Sequence, residues 1–210
     1  MIYEMALVVK PELPETELTL VKDLVKSVIT DHEGETFIDD DWGTIKLAQK
    51  TSNGTKNGHF LYFVFKANNK NNTELLRRLK ISENVLRSQI YRVGDDGDEG
   101  VFVKNYKTPF SKKYAGSLTD VIKESDSGER GGKRRFTRSR CCWYGEHQIK
   151  PNWKDPETFS WVLNEFGKIS PARVTNISRK NQRDVTKEIK RARQLGIASF
   201  ISNRIARKLS

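Results

Sequence analysis

Cysteine is nearly absent from this sequence. The 210 residues hold two, and they are neighbours, Cys141 and Cys142. Such a pair builds no disulfide framework, so a reducing, cytosol-like compartment is the expectation. Histidine is as scarce, with three residues. His32 and His59 stand alone, more like surface or satisfied side chains than ligands or catalysts. Long apolar runs are missing too. The N-terminal MIYEMALVVKPEL carries an acid at Glu4 and an apolar stretch of strand length without a basic leader, so neither a membrane span nor an export signal is expected there. Acidic residues thin out along the chain. Residues 1–110 hold 15 Lys/Arg against 17 Asp/Glu, whereas residues 111–210 hold 23 against 10. The formal net charge of +11 therefore belongs to the second half.

What is present supports folded modules. The chain is 36% hydrophobic with ten Phe and four Trp, enough to build a core. A near-neutral half joined to a strongly basic one suggests two modules, the second facing a polyanion.

Periodicity outlines the first module. Ile2 to Val9 is an apolar run of strand length, stopped by Pro11 and Pro14. From Glu15 to Asp31, Leu18, Val21, Val25 and Val28 recur at three and four, one buried helical face, and Gly34 ends it. Thr36 to Leu47 alternates loosely around Asp-Trp-Gly. TSNGTKNG holds two Asn-Gly pairs, a strong turn signal before the β-rich HFLYFVFKA. TELLRRL reads as a short helix and VLRSQIYRV as a last strand. The fold class is therefore α+β: a ferredoxin-like βαββαβ sandwich joined by a linker to a small basic helical domain. Trp42 suits core or partner packing better than base stacking. Asp39, Asp40 and Asp41 read as a solvated acidic turn.

The texture changes after residue 93. DDGDEG and SDSGERGGK are flexible-linker compositions, and VFVKNYKTPFSKKY between them has aromatics enough to pack on something, the first module included. Then GGKRRFTRSR sets Lys133, Arg134, Arg135, Arg138 and Arg140 around one Phe, a basic arm of the kind that contacts nucleic acid. In KDPETFSWVLNEFGK, Asp155 suits an N-cap, Pro156 the first helical position and Gly167 the stop. Phe159, Val162, Leu163 and Phe166 would be the core-facing stripe of that helix. A second helix follows over SRKNQRDVTKEIKRARQLG. With residues at about 100° each, Ile189, Ala192 and Gly196 lie within about 40° of Val185. Arg179, Lys180, Arg183, Lys187, Lys190 and Arg191 fall on the opposite side, with Arg193 at the edge. So crowded a basic face repels itself unless a phosphate backbone neutralises it, releasing counterions. A membrane-surface helix is the weaker reading, because the apolar seam is narrow and lacks Trp or Phe.

Both halves resemble known families. MIYEMALVVKP, DDWGTIKLA, GHFLYFVFKA and LKISENVLRSQIYRV make residues 1–93 resemble bacterial small-subunit ribosomal protein six. Residues 133–210 resemble bacterial small-subunit ribosomal protein eighteen, through Trp153-Lys154-Asp155, Gly167-Lys168-Ile169, Pro171-Ala172-Arg173-Val174-Thr175, Gln182-Arg183 and Ile189-Lys190-Arg191-Ala192-Arg193. The doubled cysteine and the tail IASFISNRIARKLS depart from that pattern.

The two families are partners, and here they stand fused in one chain with a linker at residues 94–132. The resemblance implies a non-enzymatic constituent of the small ribosomal subunit, a ribonucleoprotein component without cofactors. Its expected partners are the central domain of small-subunit rRNA at the platform, neighbouring small-subunit proteins, and the two modules with each other, with no membrane. The cytoplasmic ribosome is the expected location, an organellar one being the variant. RNA contacts would come from the arm, from Lys168 and Arg173, and from the basic helix; Lys46, Arg87 and Arg92 would add peripheral ones. An edge strand of the first module would dock the arm. The alternative function is a free regulatory RNA-binding protein acting on a messenger leader. An enzyme would need a nucleophile, base or metal cluster at convergent positions, and none is evident. A zinc site from Cys141, Cys142 and His147 lacks the Cys-x₂-Cys spacing.

Overall fold

Eight consecutive buried residues, Ile2–Val9, form strand β1. Both faces of such a strand must be covered, which explains why it reads as a continuous apolar run and not an alternation. The computed structural model describes residues 1–51, 54–95, 97, 99–109 and 142–208. The chain divides into two units, Met1–Thr108 with Arg207–Ser210, and Pro109–Ala206.

In the first unit β1 is followed by helix α1 (Glu15–Asp31), β2 (Glu35–Lys46), β3 (Asn57–Lys66), α2 (Asn69–Ile81), β4 (Val85–Gly94) and a short α3 (Glu99–Asn105). The sheet order is β4-β1-β3-β2, every pair antiparallel, with β5 (Arg207–Lys208) at the far edge. That is the βαββαβ sandwich expected from the sequence. Val21, Val25 and Val28 of α1 are buried as their spacing predicts. With Leu75 and Leu79 of α2 they cover Tyr3, Met5, Leu7, Val9, Leu61, Phe63 and Phe65 on one sheet face. Gly34 is required where α1 turns into β2. A Cβ there would lie 2.7 Å from the Lys66 carbonyl oxygen and 2.8 Å from that of Ile29.

The other sheet face is organised by a bulge. The β2–β3 register shifts between Asp41 and Gly43, and Gly43 takes φ +78°, so Trp42 swings inward. Trp42 stacks on Phe60 and Tyr62, with centroids 6.0 and 5.1 Å away. Tyr106, just beyond α3, extends the stack at 5.2 Å from Tyr62. Its hydroxyl accepts from Trp42 Nε1 at 2.9 Å and donates to Asp40 Oδ2 at 2.5 Å, while Thr108 Oγ1 donates to the same oxygen at 2.9 Å. The stretch from α3 to Thr108, linker-like by composition, thus belongs to the first unit.

The three aspartates are not a turn. They are β2 strand residues, each with a partner: Asp39 with Lys26 at 2.6 Å, Asp40 with Tyr106, and Asp41 with Lys22 at 3.2 Å and His59 at 2.7 Å. Strand pairing with β3 carries them onto positions beside α1 and the aromatic stack, which local composition does not encode.

The second unit differs from expectation in one element. No α-helix spans Pro156 to Phe166. Two 3₁₀ turns, Pro156–Thr158 and Ser160–Val162, occupy its first half, and Asp155 makes no side-chain cap. The second half is a hairpin turn. Leu163 bridges Ile169, Asn164 N–H donates to the Lys168 carbonyl at 2.9 Å, and Lys168 N–H donates to Asn164 Oδ1 at 2.7 Å. Gly167 sits at φ +71°, where a Cβ would lie 2.7 Å from Ser202 N. The glycine that would stop a helix makes a close approach instead. Phe159, Val162 and Leu163 are buried, but Phe166 is 70% exposed.

Candidate nucleic-acid interface

Trp143–Glu146 forms helix α4 and Ala172–Thr175 forms α5. The basic stretch is helix α6, Arg179–Leu195, as its sequence predicts. Its 17 residues make it about 25 Å long. Ser178 caps it by accepting from Asn181 N–H at 3.3 Å. Gly196 ends it at φ +81°, donating back to the Ala192 and Arg193 carbonyls. Val185, Ile189, Ala192 and Leu195 form the buried side.

The structure sorts the cations into two groups. Arg179, Lys180, Arg183, Lys187 and Lys190 are exposed on α6, and Arg173 on α5 and Lys168 in the 164–168 turn are exposed as well. Arg191 and Arg193 are engaged elsewhere. Arg191 pairs with Glu188 at 2.9 Å, both side chains largely buried, and Glu188 also accepts from Trp153 N–H at 3.1 Å. Arg193 donates to the Gly167 carbonyl and lies 5.5 Å from the centroid of Phe200. Burial pushes its pKa down from the ordinary guanidinium value. Lys133, Arg134, Arg135, Arg138 and Arg140 lie outside the described residues, as does Cys141.

With Glu188 turned inward, Asp184 is the acid exposed among the outward cations of α6. Arg179–Arg183, Lys180–Arg183, Arg183–Lys187 and Lys187–Lys190 are like-charge neighbours at three or four residues, costing about 1–2 kcal/mol together. Asp184 relieves part of this, being four residues from Lys180 and three from Lys187. A row of phosphates would remove the rest.

Helix α6 is anchored at its start by Cys142. The sulfur accepts from Ser178 N–H at 3.2 Å and Asn181 Nδ2 at 3.0 Å. Burial opposes the thiolate, but these donors and the Gly145 N–H outweigh it and bring the thiol down to about 7. Among the described residues no three His, Cys, Asp or Glu side chains converge as a metal site, and no helix is long and apolar enough to cross a membrane.

The three first-module candidates are placed differently. Lys46 is exposed on β2, opposite Arg207 of β5. Arg92 pairs with Asp95, and Arg87 is half-buried with its pKa lowered by desolvation. Of the first module's sheet edges, the β2 side carries β5 at Ile45 and Lys46. Sequence reading missed Phe200, Ile201 and Arg204 as surface features; the apolar-basic character of the IASFISNRIARKLS tail was the available signal.

Both segments are similar to known proteins. Residues 2–92 match the Ribosomal protein S6 family and residues 147–198 the Ribosomal protein S18 family. The small ribosomal subunit protein bS18 of Methylobacterium radiotolerans is 40% identical over 77 residues, 36% of this chain and 93% of that protein. Its counterpart in Treponema denticola is 32% identical over 87 residues, 41% of this chain and 96% of that protein. The crystal structure of the 30S ribosomal protein S6 of Thermotoga maritima shares 20% identity with a TM-score of 0.40, over 50% of this chain and 97% of that one. Two segments that match small-subunit ribosomal protein families define the class as an rRNA-binding ribosomal protein. The chain belongs to the ribosomal protein S18 family, fused behind a segment of the ribosomal protein S6 family. Its role is that of a structural protein of the small ribosomal subunit.

Proposed function

We propose that the chain is a tethered pair that binds the central domain of small-subunit rRNA at the platform and aids its assembly, in the cytoplasmic ribosome. The observation that carries this reading is the exposed row Arg179, Lys180, Arg183, Lys187 and Lys190, held on a capped helix with its apolar side buried. Such contacts fix position on the backbone without reading sequence. Lys168, Arg173 and the 133–140 arm extend the surface. The first module serves as scaffold, since residues 1–110 carry a slight excess of acids.

The domain limits proposed are 1–93, a linker at 94–132, and 133–210, with the linker as far as Thr108 and the C-terminal Arg207–Ser210 packing in the first unit. A tether of this size raises the effective concentration of one module for the other toward ~1 mM, so pairing does not depend on chain concentration. The test is sedimentation of the tagged full chain on a sucrose gradient in moderate salt with Mg²⁺. Stoichiometric migration with small subunits as one full-length band supports the reading. A chain that stays at the top, free or with messenger RNA, replaces it with the regulatory one.

A further inference from the structure

Two tight turns of the second unit are bolted together beyond the C-terminal end of α6. One is the 164–168 turn. The other is the tip of a small hairpin, closed by the Ala198–Ile205 bridge, by Ser199 N–H donating to the Arg204 carbonyl at 3.1 Å, and by Ala206 N–H donating to the Ile197 carbonyl at 2.8 Å. Asn203 N–H donates to the Glu165 carbonyl at 3.3 Å, and Gly167 packs against the Ser202 backbone. Arg193 reaches from α6 to both turns, donating to the Gly167 carbonyl and lying over the Phe200 ring.

The corner so built exposes apolar side chains that a folded domain ordinarily hides. Phe166 is 70% exposed, Phe200 53% and Ile201 76%. Both backbones are pinned, so these are rigid projections and not frayed ends. Lys168 and Arg204 are exposed beside them, with Glu165 the opposing acid in the same turn, so cations are in excess. On α6, Arg183, Lys187 and Lys190 sit four and three residues apart, a ridge that leads over ~15 Å toward Arg193. An aromatic surface at the end of a phosphate-holding ridge matches the two chemical parts of a single-stranded nucleotide, a charged backbone and a flat π-face. The excess of cations disfavours a cationic partner, and an apolar peptide would make no use of the ridge.

We propose that the Phe166–Phe200 corner is a stacking platform for an unpaired base of the RNA strand whose phosphates the α6 ridge holds. The proposal rests on the RNA-binding reading above and adds a preference to it: unpaired over paired RNA. Arg193 holds the Phe200 ring in place by its cation–π contact and closes the corner through the Gly167 carbonyl.

The experiment uses the full chain at low salt with two probes, a single-stranded RNA of about 12 nucleotides carrying 2-aminopurine at its centre and a blunt duplex of the same length. The expected result is that Phe166→Ala with Phe200→Ala weakens single-strand binding ~10- to 100-fold, changes duplex binding less than about twofold, and abolishes the 2-aminopurine quenching. Phe166→Tyr with Phe200→Tyr should restore all three, because the π-face is kept. Equal losses on both probes overturn the proposal in favour of a structural role for the rings. Unchanged single-strand binding by the Ala variant also overturns it and leaves the corner as a protein-docking surface, with the RNA-binding reading intact. Failure of the unmodified chain to bind either probe defeats both readings.

Discussion

Neutralising Lys187 should make this protein more stable and a poorer RNA binder at once. In Lys187→Gln the helix loses like-charge neighbours at Arg183 and Lys190 and one favourable neighbour at Asp184. Glutamine matches lysine in helix propensity, so the electrostatic change dominates. The net gain is about 0.2–0.5 kcal/mol, or a rise in melting temperature of roughly 0.4–2 °C for a chain of this size. Binding moves the other way. Each phosphate contact contributes about 0.9 to the slope of log affinity against log salt, so the slope should flatten by that amount. Between roughly 50 and 200 mM salt the unmodified chain then loses about 3.5-fold more affinity than the variant. Thermal melting and filter binding to a central-domain rRNA fragment measure the two effects. An unchanged salt slope at equal or higher stability would refute the claim that the outward face of α6 grips phosphate. A lower melting temperature would show instead that Lys187 contributes to the fold.

Three further outcomes follow from particular sites. Gly167→Ala places a Cβ 2.7 Å from Ser202 N at φ +71°, and should cost ~1–3 kcal/mol in urea denaturation of the second unit. Burial disfavours the ionised Asp41 carboxylate, but His59, the Gly43 N–H and Lys22 outweigh it and hold its pKa at about 2. Its stabilisation is therefore complete above about pH 4 and lost as pH falls toward 2; Asp41→Asn should flatten that acid limb, and an unchanged acid titration would contradict the pairing. The Cys142 thiol, at about 7, should alkylate in a Cys141→Ser background with an apparent pKa near that value. Its stabilising effect is present above about pH 9 and lost as pH falls through 7. Asn181→Ala, which removes one donor to the sulfur, should shift the alkylation profile upward; an unmoved profile would show that the contact does not tune the thiol.

Two structural results reach back to the families. The S6-type segment lies in one compact unit, joined there by the C-terminal Arg207–Ser210, and the S18-type segment lies in the other. The exposed cation row lies in the S18-type segment, whereas two of the candidate cations of the S6-type segment, Arg92 and Arg87, are paired or partly buried.

Features carried by neighbours in sequence were legible from the sequence alone. Helix α6 and its two-sided character depend on contacts three and four residues apart, while its Ser178 and Gly196 caps emerged from the structure. The valine face of α1 depends on the same spacing, whereas the second Asn-Gly pair, Asn57-Gly58, lies within β3 and not in a turn. Tertiary structure decided the rest. Residues 155–167 satisfy every local rule for a helix, yet Gly167 is drawn against Ser202 and Leu163 bridges Ile169, so the segment becomes turns and Phe166 faces outward. Seven cations between Arg179 and Arg193 look equivalent in the sequence, but Arg191 and Arg193 are taken up by Glu188 and Gly167. Tyr106 and Arg207–Lys208, far from the first module's strands in sequence, complete its aromatic stack and its edge. Pairings across such separations are selected by the free energy of the whole packed unit, and no window of the sequence contains both partners.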